Sequence, residues 1–161
     1  MADIVDAATR SRMMSGIRGK NTRPEIALRI ALHRLGFRYR LHGKLPGKPD
    51  LVFASRHAVI FVHGCFWHGH DCHLFKWPSS RPDFWQGKIN GNRRRDSLSC
   101  ARLHDLGWRI LTVWECAMKG KTRWNVAELV AAAAEWLQSG TSDLELRGHD
   151  HGVGRPDGMD E

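Results

Sequence analysis

Two short apolar runs, residues 51–54 and 58–62, lead directly into Gly64-Cys65-Phe66-Trp67-His68-Gly69-His70-Asp71-Cys72-His73. The runs are rich in β-branched and aromatic residues. Ser55, Arg56 and His57 between them have turn character, so the pattern predicts two buried strands joined as a hairpin. Asp50 then stands at the mouth of the first strand and His63 at the end of the second. From residue 64 to residue 82 no hydrophobic period is visible. A loop of that length inside a compact domain is either functional or held by something other than a core. Cysteine and histidine are the residues here that can hold it.

Zn²⁺ takes four Cys or His ligands in a tetrahedron. Cys65, His70 and Cys72 fall within eight residues, and one distant ligand closes the set. Cys116 is the best candidate because it emerges at the end of a predicted core strand, residues 108–115. His68 and His73 are alternatives for the histidine position. The spacing C-x4-H-x-C is not a common finger spacing, and the plain alternative is two buried cysteines among solvated histidines. A site made wholly of protein ligands is structural. Cys100 remains as a spare, buried thiol. In a reducing compartment four such cysteines are metal ligands or buried thiols, not disulfides.

The other elements follow in order. Residues 6–19 read as a short basic helix or arm whose Met13, Met14 and Ile17 either pack on the core or present Met14 to a nucleic acid. Thr22, Pro24 and Glu25 begin a helix as cap, first-turn proline and capping-box acid. Ile26, Leu28, Ile30, Leu32 and Leu35 supply its apolar side and Gly36 ends it. Residues 37–41 alternate apolar and basic, a half-buried strand. A Gly/Pro turn over 43–49 follows. A long helix runs from Pro82 to Leu106, basic in its middle (Lys88, Arg93, Arg94, Arg95), and an amphipathic helix over 124–138 covers the sheet. The expected fold is a mixed α/β domain with a small central sheet over residues 1–138, its first 20 residues an arm. Residues 139–161 read as a disordered acidic tail.

Charge adds a partner class. The chain carries +8 overall, but residues 1–138 hold 23 Lys/Arg against 11 Asp/Glu, while the remainder is acidic. A basic body points to a polyanion, and nucleic acid is the commonest. No apolar run approaches the roughly 20 residues that span a bilayer. Asp3 and Asp6 interrupt any signal-like N-terminus, so no membrane and a cytoplasmic location are expected.

Hydrolysing a phosphodiester takes a hard cation with oxygen ligands and groups that move protons. Asp50 suits Mg²⁺, and His63 and His68 suit proton transfer, since an unperturbed histidine changes charge near neutrality. Pro49-Asp50 before a hairpin, after a helix bearing Glu25, resembles the restriction-endonuclease core called PD-(D/E)xK, except that Val62-His63-Gly64 stands where acid-x-Lys belongs. The segments at 8–25 (ATRSRMMSGIRGKNTRPE), 45–52 (LPGKPDLV), 61–76 (FVHGCFWHGHDCHLFK) and 106–116 (LGWRILTVWEC) closely resemble the very short patch repair (Vsr) DNA mismatch endonucleases, over about residues 3–138. The resemblance implies a restriction-endonuclease-like fold with a structural zinc. It implies nicking next to the T of a T:G mismatch arising from 5-methylcytosine deamination. It assigns Mg²⁺ to Asp50 with the Val62 backbone carbonyl, catalysis to His63 and His68, and a supporting role to Glu25. It gives zinc to Cys65, His70, Cys72 and Cys116.

Two positions depart from the family's pattern: Val62 where threonine is familiar, harmless if a backbone oxygen is the ligand, and Gly69 where another histidine can stand. Phe66 and Trp67 are either core anchors or, as the resemblance implies, a wedge inserted into the base stack with Met14 from the other side. Arg10, Arg12, Lys88, Arg93, Arg94 and Arg95 are the candidate phosphate contacts. The expected partner is double-stranded DNA with a T:G mismatch, engaged by a monomer, with general mismatch-repair proteins as further partners. The alternatives are a zinc-stabilised DNA-binding module without catalysis and a generic restriction-type nuclease.

Overall fold

In the computed structural model, residues 23–149 are described. The capping position Thr22, the arm over 6–19 and its Arg10, Arg12 and Met14 lie outside the described residues. Helix α1 (Arg23–Arg34) buries Leu28 and Leu32, whereas Ile30 and Leu35, expected on its apolar side, are exposed. At 3.6 residues per turn, positions 25, 28 and 32 share one face, so the same face that buries the leucines buries Glu25. Gly36 ends the helix at φ 100°, and the Phe37 N–H closes back on the Leu32 carbonyl at 3.1 Å. This is a glycine C-cap of the Schellman kind.

Only two residues of the expected first strand pair: β1 (Arg40–Leu41), against β2 (Leu51–Phe53). His42 turns the chain out of the strand at φ 48°, yet its N–H still reaches the Asp50 carbonyl at 2.9 Å. A 3₁₀ turn (Ala54–Arg56) and a left-handed His57 then join β2 to β3 (Ala58–His63), as the hairpin pattern predicts. Helix α2 (Pro82–Asp105) crosses to β4 (Arg109–Trp114), which pairs with β3 in parallel over its full length. Helix α3 (Val126–Ser139) starts where the Asn125 side chain accepts the N–H groups of Ala127 and Glu128. With a last strand, β5 (Leu144–Leu146), the sheet order is β1-β2-β3-β4-β5, antiparallel at its start and parallel from β3 onward.

Strand alternation divides the core. Leu51, Phe53, Ala58, Ile60, Val62, Leu111 and Val113 face α1 and α3. Val52, Val59, Phe61 and Ile110 face Leu103 of α2. His63 and Trp114 continue this second face to the ends of their strands, where they are partners in register. Cys100 is half-buried on this side, not fully buried as expected.

The expected disordered tail is corrected over residues 139–149. Strand β5 (Leu144–Leu146) pairs in parallel with β4, and Leu146 is buried. Before it, the Asp143 carboxylate accepts the Ile110 N–H at 2.9 Å. After it, the Arg147 guanidinium holds Asp71. None of the described helices is long and apolar enough to cross a membrane.

Candidate active site and metal centre

The carboxyl ends of β3 and β4 and the amino end of β2 meet at one edge of the sheet. In the parallel part of an α/β sheet the carboxyl ends are where ligands bind. Three clusters of ligating side chains gather here, each with its donor atoms within 4.8 Å of one another.

The first cluster is Glu25, His42 and Asp50. Asp50 is 8% exposed, and its Oδ2 accepts the Val62 N–H at 2.6 Å, which fixes the carboxylate against β3. Glu25 is fully buried. His42 presents Nε2 to Glu25 at 3.7 Å and Nδ1 to Asp50 at 3.8 Å. Arg29 donates to Glu25 at 3.2 Å. Glu25 therefore lies in the acidic cluster, beyond the capping role its position suggests. Two buried carboxylates this close are strained by mutual repulsion unless cationic groups or a metal ion compensate them. Oxygen-rich donor sets of this kind suit a hard dication.

The second cluster is His63, His68 and Asp96. The two imidazoles stack, 3.8 Å between centroids and 7° from parallel. The His68 Nδ1 lies 2.5 Å from the Asp96 carboxylate. Burial, then the neighbouring His68 and His70, hold the His63 pKa well below its usual value, so its ring is neutral near pH 7. The buried His63 Nδ1 has no hydrogen-bond partner among the described residues.

The third cluster is Cys65, His70, Cys72 and Cys116. The His70 Nδ1 lies 3.5 Å from the Cys65 sulfur and 3.6 Å from that of Cys116. Cys116 sits in the 3₁₀ turn (Glu115–Ala117) directly after β4. The Cys116 N–H donates to the Cys65 sulfur, and the Gly148 N–H to the Cys116 sulfur. The Cys65 thiol, His70 and that amide hold Cys116 as a thiolate, its pKa lowered to about 4, while Cys65 is pushed up. A converging soft set with one thiolate already favoured fits a thiophilic dication. His70 is thus the histidine of this cluster. His68 belongs to the second, and His73 is exposed.

Gly69 does more than remove a spare ligand. It lies at φ 60°, and a Cβ there would come within 2.6 Å of Ile89 and of the Arg93 guanidinium. The loop can approach α2 only with glycine at this point.

Phe66 and Trp67 are half-buried and, among the described residues, belong to none of the core clusters. They pack on each other at 5.2 Å and on Trp85 of α2 at 5.4 and 6.0 Å. The Asn92 side chain holds the Trp67 carbonyl at 2.7 Å. Beside them, Lys48, His68, Arg95, Asp96, Ser99 and Arg102 line a cleft of about 530 Å³ between the 43–49 turn and α2. Lys88, Arg94 and Arg95 are exposed on that helix. Arg93 is exposed there too, and its guanidinium also donates to the Gly69 carbonyl and to Asn90.

Sequence reasoning missed His42, Asp96, Trp85 and the Gly148 amide. Asp96 alone carried a signal: it is the one carboxylate within the basic run of α2, three residues past Arg93.

Residues 2–74 match the family described as DNA mismatch endonuclease Vsr. The chain is 41% identical to DNA mismatch endonuclease Vsr of Escherichia coli (strain K12) over 151 residues, 92% of this chain and 97% of that protein. It is 51% identical over 119 residues to Type II nicking enzyme V.XorIIP of Xanthomonas oryzae pv. oryzae, 73% of this chain and 88% of the relative. It is 43% identical over 122 residues to Type II nicking enzyme V.NmeAIP of Neisseria meningitidis serogroup A, 75% of this chain and 87% of the relative. Likeness at this level along nearly the whole chain, spanning all three clusters, means that the protein belongs to the Vsr family of DNA mismatch endonucleases, hydrolases whose substrate is DNA.

Proposed function

We propose that this endonuclease nicks one strand next to the T of a T:G mismatch left by 5-methylcytosine deamination, in very short patch repair. The observation that carries the reading is the convergence of a buried carboxylate pair, a histidine pair and a partly exposed aromatic pair at one sheet edge. The names of two relatives as nicking enzymes support the cutting of a single strand. The fold is read as a restriction-endonuclease-like, PD-(D/E)xK-type core in which histidine stands where lysine is usual.

Asp50 and the Val62 carbonyl are assigned to Mg²⁺, with Glu25 in support. Mg²⁺ bound there would polarise the scissile phosphate and make an attacking water more acidic. His63, kept neutral by burial, is suited to accept a proton. His68, bonded to the Asp96 carboxylate, is suited to donate one to the leaving oxygen. Protonating both rings would put like charges 3.8 Å apart, so one proton at a time is shared between them.

Cys65, His70, Cys72 and Cys116 are assigned to a structural Zn²⁺, the usual ion for such a donor set. Phe66 and Trp67, with Met14, form the wedge that opens the mismatched step. Lys88, Arg93, Arg94 and Arg95, with Arg10 and Arg12 of the arm and the Lys48–Arg102 cleft, contact phosphates. The enzyme acts as a monomer on cytoplasmic DNA, with general mismatch-repair proteins as its further partners.

The test is nicking of end-labelled duplexes, T:G-mismatched and matched, with Mg²⁺ or with EDTA. The expected result is a single nick beside the mismatched T, only with Mg²⁺. Binding without cutting under every condition would identify a zinc-stabilised DNA-binding module, and double-strand cleavage of matched duplex a restriction-type nuclease.

A further inference from the structure

We propose that Trp114 is a positioning residue, through which the Cys/His centre fixes the orientation of the two histidines at the active site. The inference rests on the catalytic reading of His63 and His68 given above.

Four rings run in an unbroken series from one cluster to the other. His68 stacks on His63 at 3.8 Å. His63 meets the Trp114 indole edge to face, at 5.2 Å and 69°. The indole in turn stacks on His70 at 4.0 Å and 9°. At that far end the imidazole is held by the Cys65 and Cys116 sulfurs.

The backbone explains why the rings meet. His63 and Trp114 are partners in the parallel β3–β4 register, so their side chains leave the same face of the sheet side by side. Trp114 also packs with Cys65, Cys116, Cys72 and Leu74, and is 9% exposed. Its Nε1 donates to the Glu145 carboxylate of β5 at 3.2 Å, which sets the indole about its own long axis.

A histidine ring has two side-chain torsions and needs a wall to select among their wells. His68 stands on a loop without a core of its own, and the His63 Nδ1 has no hydrogen bond among the described residues to fix its ring. Stacking is the constraint that remains for His63. Misplacing a reacting group by about 1 Å can cost on the order of 10²-fold in rate. Removing the wall should therefore slow the chemistry and leave DNA binding alone, because Trp114 is buried beneath the histidines.

Trp114→Leu, Trp114→Phe and Glu145→Ala in the full chain provide the test. The measurements are kcat and KM on a T:G duplex, T:G binding without Mg²⁺, zinc per chain and the melting temperature. Trp114→Leu is expected to lower kcat about 30- to 100-fold, with KM and metal-free binding within about twofold and zinc retained. Trp114→Phe, which restores an aromatic wall, should recover most of the rate. A wild-type kcat in Trp114→Leu, or a change confined to KM, overturns the inference. If Trp114→Leu loses zinc or does not fold, the exposed Glu145→Ala decides. A fall in kcat of at least threefold at constant KM and zinc content supports the proposal, and an unchanged kcat overturns it. Asp50→Asn and His68→Ala serve as controls. If they still nick, the catalytic reading itself fails; if they are inactive while Trp114→Leu and Glu145→Ala nick normally, only the role of Trp114 falls.

Discussion

His63 and His68 lie ring on ring, 3.8 Å apart, and His68 turns its Nδ1 onto the Asp96 carboxylate at 2.5 Å. The two rings come from a strand end and a loop, and the carboxylate from the middle of α2. This geometry occupies Nδ1 of His68, so Nε2 is the nitrogen that the proposed proton transfer would use. Asp96 thus holds the ring and its tautomer.

Asp96→Asn keeps the shape but makes the partner neutral and able to donate. We expect single-turnover nicking to fall by on the order of 10²–10⁴-fold, as when a histidine loses the carboxylate that orients it. Mismatch binding should be unchanged. A rate within threefold of the parent would remove Asp96 from the mechanism.

Asp50→Asn tests the acidic cluster. The amide oxygen can still accept the Val62 N–H, so the fold should be retained. The negative charge that would attract Mg²⁺ is lost, so nicking should disappear while T:G binding survives. Nicking at the parent rate in this variant would refute the active site proposed here.

The sheet and its edge were legible because the signals were local. The hairpin is marked by two β-branched runs around a polar triplet, and Cys116 by its place directly after a strand of six residues. Glu25 could have been read more fully, since positions 25, 28 and 32 fall on one helical face. Asp96 and His42 were hidden for a physical reason: their roles depend on which residues of distant elements face them. His42 also follows a strand of only two residues, too short to show a period. Strand β5 was missed because Leu-Glu-Leu is three residues among Asp, Ser and Gly, and its order comes from pairing with β4.

That strand yields a third expectation. A chain ending at residue 142 loses Leu146 from the core and leaves the Ile110 N–H without its Asp143 acceptor. Burial of one leucine is worth about 1.5–3 kcal/mol, and an orphaned buried donor costs about 1–3 kcal/mol. The Cys116 sulfur also loses the Gly148 amide. Urea melts should show a loss of at least about 2.5 kcal/mol, the sum of the lower ends of these two ranges. A midpoint equal to that of the full chain would mean that β5 contributes nothing.

The metal centre can be probed through its thiols. Protein purified without chelator should hold one zinc per chain, with Cys65, Cys72 and Cys116 unreactive toward a thiol reagent until a chelator strips the ion. Half-buried Cys100 should react at the same rate before and after. Cys116→Ala should lose zinc and melt lower, because the 64–81 loop has little apolar core beyond this centre. A stable Cys116→Ala chain with its zinc in place would contradict the ligand assignment.

Trp67 separates recognition from packing. Its half-buried ring leans on Phe66 and Trp85, outside the core clusters of the described residues, while Asn92 pins its carbonyl. A wedge needs such a setting: partly exposed, yet held rigidly enough that little entropy is lost when it enters the base stack. A T:G pair is less stable than a Watson–Crick pair, so opening the step beside it costs less of the few kcal/mol that unstacking requires. Discrimination would then come from the difference in that cost. Trp67→Ala should therefore lose T:G preference and most nicking, while retaining zinc and salt-dependent binding to ordinary duplex. Its stability should fall by roughly half or less of the 3–5 kcal/mol typical of truncating a fully buried tryptophan. Urea melts and paired binding curves on the same variant decide the matter. A loss of the full core magnitude with T:G preference intact would make Trp67 a packing residue and leave the wedge without its principal element.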